Sequence, residues 1–287
     1  MANKNLINTV LAESPNRRSL LKKIGIASAA VGAAAVTGGV KLNAQSTLPS
    51  AVDILQFALN LEYLESEFYT YATTGKGIDA MGVGIDGSGA PGMTTGGSKV
   101  NFANNLVFSG AIAGEIAADE RAHVTLIRGA LTAAGVTPVA KPAIKLDALG
   151  IGFANEASFL LLARVFEDIG VSAYGYAAGV STLATSPYIG TAARILATEA
   201  EHVGNIRLQV ARLGIDTTKT KLDSVDMLPP PTGTAFISAD PSTGLTAVRS
   251  PGQVLFLAYG FAANATAGGF YPNGVNGALN MSSATAA

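Results

Sequence analysis

Apolar side chains recur every three to four residues through four stretches of this chain, and each stretch stops where glycine or proline breaks the period. The first runs from Ala51 to about Ala72, with Ile54, Leu55, Ala58, Leu61, Leu64 and Phe68 on one stripe. The second runs from about Asn101 to Ala134 and ends at Gly135, with Pro138 just beyond. The third covers about Phe153 to Gly179, and the fourth about Tyr188 to Leu213, closed by Gly214. The pattern predicts four long helices.

The connections differ in kind. Residues 74–98 hold nine glycines and one proline and read as a long surface loop. Residues 136–150 contain two prolines and are long enough for a crossover rather than a tight turn, whereas Thr185-Ser186-Pro187 is a short link. After about residue 215 the helical period is lost. Residues 215–287 carry Pro229-Pro230-Pro231, an apolar run from Val254 to Phe261 and a Gly268-to-Gly274 stretch, and read as an irregular extension that packs on the bundle or serves assembly. The fold class expected is all-α: a four-helix bundle over 45–214 with a long crossover, plus this Gly/Pro-rich extension.

Ahead of the bundle, Arg17-Arg18 precedes an Ala- and Gly-rich apolar stretch from Ile24 to Val40, then Lys41 and Leu42-Asn43-Ala44. Residues 1–44 resemble a twin-arginine export signal, with small Ala44 suited to cleavage. The stretch is too short and too broken by glycine to make a stable membrane span. Removing it takes six Lys/Arg and one Glu from totals of 19 and 20, leaving 13 and 19, a net −6. An exported, periplasmic or extracytoplasmic address follows as an expectation. Twin-arginine export carries folded proteins, often with a cofactor already in place.

Composition narrows the chemistry. With 48% hydrophobic and 14% charged residues, the 287-residue chain can bury a sizeable core. The net charge of −1 and the lack of any basic run beyond the N-terminus exclude a nucleic-acid footprint. There is no cysteine, so disulfides, iron-sulfur clusters and thiolate metal sites are excluded, and any metal must be held by oxygen and nitrogen. The two histidines, His123 and His202, are the only side-chain nitrogen donors suited to a metal.

Both histidines sit in near-copies of one segment. Glu120-Arg-Ala-His123-Val-Thr-Leu-Ile127-Arg128 and Glu199-Ala-Glu-His202-Val-Gly-Asn-Ile206-Arg207 agree at five of nine positions. Residues three apart lie on one helix face, so each Glu-x-x-His aims a carboxylate and an imidazole at one spot. The echo extends upstream: Glu62 in the first helix precedes Tyr69 by seven residues, and Glu167 in the third precedes Tyr174 by seven. The order Glu, Glu-x-x-His, Glu, Glu-x-x-His on successive helices is the inward ligand set of carboxylate-bridged two-metal bundles.

On these residues, the stretch from about 51 to 213 resembles the ferritin-like superfamily, and in particular the desiccation-related ferritin-like proteins of bacteria and plants. The resemblance implies a centre of two metal ions, iron or manganese. Glu62 and Glu167 would each be terminal carboxylates on one metal, His123 and His202 the terminal imidazoles, and Glu120 and Glu199 the bridges. Four buried carboxylates repel one another unless about four positive charges stand among them. Oxygen with imidazole suits iron or manganese, and zinc stays open.

Several neighbours compete for roles. Glu65 lies one turn from Glu62 on nearly the same face and is the alternative ligand, while Glu156 is better placed as a dipole-favoured charge at a helix start. Tyr69 and Tyr174 are candidate donors to the ligands or electron relays, against the commoner role of interior packing. Asp119, Asp168 and Glu201 could each hold the far nitrogen of a histidine, or be solvated. Arg128 and Arg207 could pair with the carboxylates, although a solvated face is their default. The function expected is redox or oxidative-stress chemistry with dioxygen or hydrogen peroxide, of ferroxidase, peroxidase or catalase type, in a protein that could form homo-oligomers. The alternative is a non-catalytic desiccation, stress or structural protein whose metals staple the bundle or whose site is vestigial.

Overall fold

The computed structural model of the chain describes residues 48–102, 110–217, 236–240 and 242–285. The export signal read over 1–44, residues 103–109 of the second helical stretch and the proline triplet at 229–231 lie outside the described residues. The long helices are α1 (Ala51–Thr74), α2 (Gly110–Ala133), α3 (Glu156–Gly179) and α5 (Ile189–Arg212), with a single turn α4 (Ser181–Ala184) before α5 and a shorter α6 (Pro251–Ala258) in the extension. Helix α1 lies against α2, and α3 against α5.

Local chemistry sets the helix ends. Ser50 and Asp53 form a capping box at the start of α1, which closes on left-handed Gly75 at φ 77°. The Asn155 side chain accepts from Ser158 N and caps α3, which starts three residues later than periodicity suggested. Asn101 and Phe102, expected to be helical, are not.

The apolar stripe understated the burial of α1. Eighteen of its residues are buried, including Gln56, Asn60, Glu62, Glu65, Ser66, Glu67 and Thr70. A central helix covered on every side shows no amphipathic period, because each face needs an interior residue. Its cover comes from the Gly-rich loop and the C-terminal extension. The loop folds into a short 3-10 turn (Asp79–Met81) and a two-residue strand β1 (Thr94–Thr95), which pairs in parallel with β2 (Ile144–Lys145) of the crossover. A buried ion pair, Lys141 Nζ to Glu67 Oε1 at 3.2 Å, ties that crossover to α1, and Lys141 Nζ also donates to Gly92 O and Thr94 Oγ1 of the loop.

The extension is fastened to the same helix. Tyr271 Oη donates to Asn60 O at 2.8 Å, and Asn60 exchanges two hydrogen bonds with the Asn276 backbone. The Asn276 amide donates onward to Ala90 O in the loop and Ala140 O in the crossover. Val254, Leu255 and Leu257 of α6 are buried, and Phe270 meets Phe166 of α3 edge to face. Among the described residues, no helix is long and apolar enough to cross a membrane.

Candidate metal centre

Each long helix brings a chemically active face to one point between the two helix pairs. Helix α1 contributes Glu62, α2 contributes Glu120 and His123, α3 contributes Glu167, and α5 contributes Glu199 and His202. The four carboxylates are 0% exposed, while His123 and His202 keep 7% and 6% exposure, so the imidazoles form the edge nearest solvent. The donor atoms fall into two overlapping groups: Glu62, Glu120, His123 and Glu199; and Glu120, Glu167, Glu199 and His202. Within each, they lie within 4.8 Å of one another. Glu120 and Glu199 belong to both.

His123 Nδ1 stands 3.3 Å from Glu62 Oε2, 3.6 Å from Glu120 Oε2 and 3.3 Å from Glu199 Oε1. His202 Nδ1 stands 3.1 Å from Glu120 Oε1 and 3.4 Å from Glu167 Oε2. These atoms are close, yet they lack hydrogen-bond geometry. Glu62 Oε2, both oxygens of Glu120, His123 Nδ1, Glu167 Oε2, both oxygens of Glu199 and His202 Nδ1 are all buried without a hydrogen-bond partner. Orphaned buried polar atoms are rare and costly, and so many in one place need a common cause. Two donors each about 2.1 Å from a metal stand about 3.0 Å apart at right angles and about 3.4 Å apart at the tetrahedral angle. The observed separations fit atoms aimed at shared points between them rather than at one another.

The remaining oxygens divide the carboxylates into two kinds. Tyr69 Oη of α1 donates to Glu167 Oε1 at 2.5 Å, and Tyr174 Oη of α3 donates to Glu62 Oε1. Glu62 and Glu167 therefore each have one oxygen held by a tyrosine and one facing the centre, while Glu120 and Glu199 keep both oxygens free. This is the division expected of terminal and shared carboxylates. Packing was the commoner expectation for the two tyrosines, and their matching seven-residue spacing from Glu62 and Glu167 was the signal for their hydrogen-bonding role.

Electrostatics shows what the cluster requires. Burial by itself lowers the His202 imidazole, but Glu167 and Glu120 more than reverse this and push it up to about 12. Burial likewise opposes charge on His123, and Glu62, Glu120 and Glu199 raise it further still. Burial, then Glu120 and Glu167, holds the Glu199 carboxyl well above the usual carboxylate range. Every shift points the same way: the buried carboxylates demand positive charge among them.

The neighbours sort cleanly. Glu65 joins neither donor group; it is a buried carboxyl one turn along α1, held well above its usual range by burial and then by Glu199. Glu156 stays in the first turn of α3. Asp168 faces away from the centre: its Oδ2 accepts from Arg207 Nη1 at 2.7 Å and Arg164 Nη1 at 3.4 Å. Arg207 is thus buried in an ion cluster, and Arg128 donates to Tyr63 Oη and Asp86 O in the loop, so the expectation of solvated or cluster-shielding arginines is corrected for both. Glu201 is exposed.

Asp119 does hold a histidine, although one across the bundle. Its Oδ2 lies 3.3 Å from His202 Nε2. The matching position in the second repeat is Thr198, whose hydroxyl turns back to Arg194 O. A carboxylate behind a ligand imidazole fixes its orientation and raises its basicity. Asp119→Asn is expected to weaken one of two metal-binding steps by about tenfold and leave the other in place, as read by calorimetric titration. Equal weakening of both steps would show that Asp119 does not act through His202.

Residues 50–212 match the family model described as a ferritin-like domain, which is more than half of the chain. This chain belongs to the ferritin-like family. A curated relative, the desiccation-related protein PCC13-62 of Craterostigma plantagineum, is 29% identical to this ferritin-like chain over 145 residues, covering 44% of the chain and 42% of the relative. The match thus spans less than half the length of that relative. No solved structure gives a significant match.

Proposed function

We propose that this ferritin-like domain holds two divalent metal ions, iron or manganese, and uses them in redox chemistry with dioxygen or hydrogen peroxide. The observation that carries the reading is the set of buried, unpartnered donor atoms on Glu62, Glu120, His123, Glu167, Glu199 and His202. When bound, such a pair supplies two adjacent redox centres and Lewis acids. The chain does the rest. Tyr69 and Tyr174 fix the terminal carboxylates, Asp119 steadies His202, and the packed helices keep bulk water from the carboxylates. Glu65 places a second buried carboxyl beside Glu199, where it can exchange a proton with a reagent at the centre.

The paired arginines at Arg17 and Arg18 support a site of action outside the cytoplasm, and homo-oligomers remain part of this reading. The relative named for desiccation supports a stress setting. A second reading, in which the metals staple the bundle without turnover, is favoured by the origin of the donors: all four long helices contribute, so metals held there would cross-link the whole bundle.

Elemental analysis of protein purified from its native envelope, followed by turnover assays with hydrogen peroxide and with ferrous iron under dioxygen, separates the two. About two metals per chain with turnover supports the redox reading. Bound metal without turnover leaves the structural one. Absence of stoichiometric metal after loading overturns both.

A further inference from the structure

A cavity lies beside the centre, between α1, α3 and α6. It is lined by Leu61, Leu64 and Glu65 of α1, Phe166 and Gly170 of α3, and Leu257 of α6, with further apolar side chains around them. Its free volume of about 20 Å³ compares with about 10–15 Å³ needed to seat one water on the same measure. Its surface is almost wholly apolar, and the Glu65 carboxyl is the polar side chain in the wall. Cavities of this character stay dry and accept small apolar guests.

The cavity adjoins the centre at Gly170, where the carboxylates of Glu199 and Glu65 fill the space that a side chain would take. Gly170 has no side chain, and a methyl group built there would stand 2.6 Å from Glu199 Oε2 and 3.1 Å from Glu65 Oε1. The shared carboxylate Glu199 thus lies directly behind the glycine, with Glu65 beside it. A polar reagent has another approach, because His123 and His202 are the centre's partly exposed residues and half-exposed Asp119 sits behind His202.

We propose that this cavity is a holding site for dioxygen, which reaches the centre past Glu65 and Gly170 while polar reagents and metal ions enter from the histidine edge. The inference rests on the two-metal reading and narrows it: dioxygen loses little on leaving water for an apolar pocket, whereas hydrogen peroxide would leave its hydrogen bonds behind. Roofing by α6 also gives the extension a role, because Leu257 and Ala258 close the space over α1 and α3.

The test uses the whole chain with two wall variants outside the donor set. Ala258→Leu fills the cavity and Leu257→Ala enlarges it. Xenon-pressurised crystals, which need no metal, are expected to show xenon between Leu61, Phe166 and Leu257 in the unaltered protein, more in Leu257→Ala and none in Ala258→Leu. With ferrous iron loaded, Ala258→Leu is expected to slow oxidation by dioxygen about tenfold and leave oxidation by hydrogen peroxide unchanged. Xenon absent from the cavity, or dioxygen and peroxide rates that stay together in both variants, overturns the proposal. Failure of iron to load, with xenon in place, instead sinks the two-metal reading and with it the delivery role, while the apolar site stands.

Discussion

Titrating the metal-free protein with manganese(II) near neutral pH is expected to raise its thermal midpoint by about 8 °C or more and to release at least about two protons. His123 and His202, whose folded-state values are raised by the carboxylates around them, supply two, because a metal can bind imidazole only in its neutral form, and the raised carboxyl of Glu199 adds to them. Binding at about a thousandfold excess over the dissociation constant contributes about 4 kcal/mol, and a domain of this size gains about 2–4 °C per kcal/mol. The pH dependence has opposite signs in the two states. Without metal, the stability supplied by the protonated histidines is full below about 6.5, their unfolded value, and drains away as pH rises toward about 12, the folded value of His202. With metal, affinity grows over the same range because fewer protons must be displaced. The midpoint shift on loading should therefore widen from pH 6 to pH 9, as followed by calorimetry. Glu120→Gln should remove most of the shift while leaving the metal-free midpoint close to that of the parent, since it takes a charge from a crowded cluster. A shift that narrows with rising pH, or that survives Glu120→Gln, would show that the metal binds elsewhere.

The centre was legible because its chemistry repeats at helical spacing. Two histidines in the whole chain, each three residues after a glutamate, and two glutamates each seven residues before a tyrosine, leave few other arrangements for four packed helices. Two helix ends were legible for a similar reason, since Gly135 and Gly214 each terminate a periodic stretch with a left-handed residue. What escaped was non-local. The partner of Asp119 is an imidazole on another helix, and the partner of Arg207 is a carboxylate on α3. Neither pairing leaves a local trace. The extension was least readable, because its attachment rests on single hydrogen bonds such as Tyr271 to Asn60, between residues 211 apart in sequence. Burial of α1 on all sides follows from that attachment and was hidden with it.

Asp168→Ala is expected to cost about 3–5 kcal/mol, a fall of about 6–20 °C in midpoint, while the folded fraction still takes up metal. Burial pushes the Asp168 carboxyl up, against the pull of Arg207 and then Arg164, so the cluster gains little over an apolar core of the same shape. Removing the carboxylate alone is different, since two guanidiniums, Arg164 at 0% and Arg207 at 1% exposure, lose the group they share. The loss falls on the contact between α3 and α5, which carry Glu167, Glu199 and His202. Glu167 is the adjacent residue, yet one step along a helix turns a side chain by about 100°, which points Glu167 inward and Asp168 toward Arg207. Glu167→Gln keeps an oxygen for Tyr69 and removes one charge from the centre, so it should leave the metal-free midpoint nearly unchanged and abolish one metal-binding step. Denaturation curves and metal titrations on the two variants are expected to give opposite patterns. If Asp168→Ala melts with the parent, the ion cluster does not hold the helices. If Glu167→Gln binds both metals as tightly as the parent, Glu167 is not a ligand.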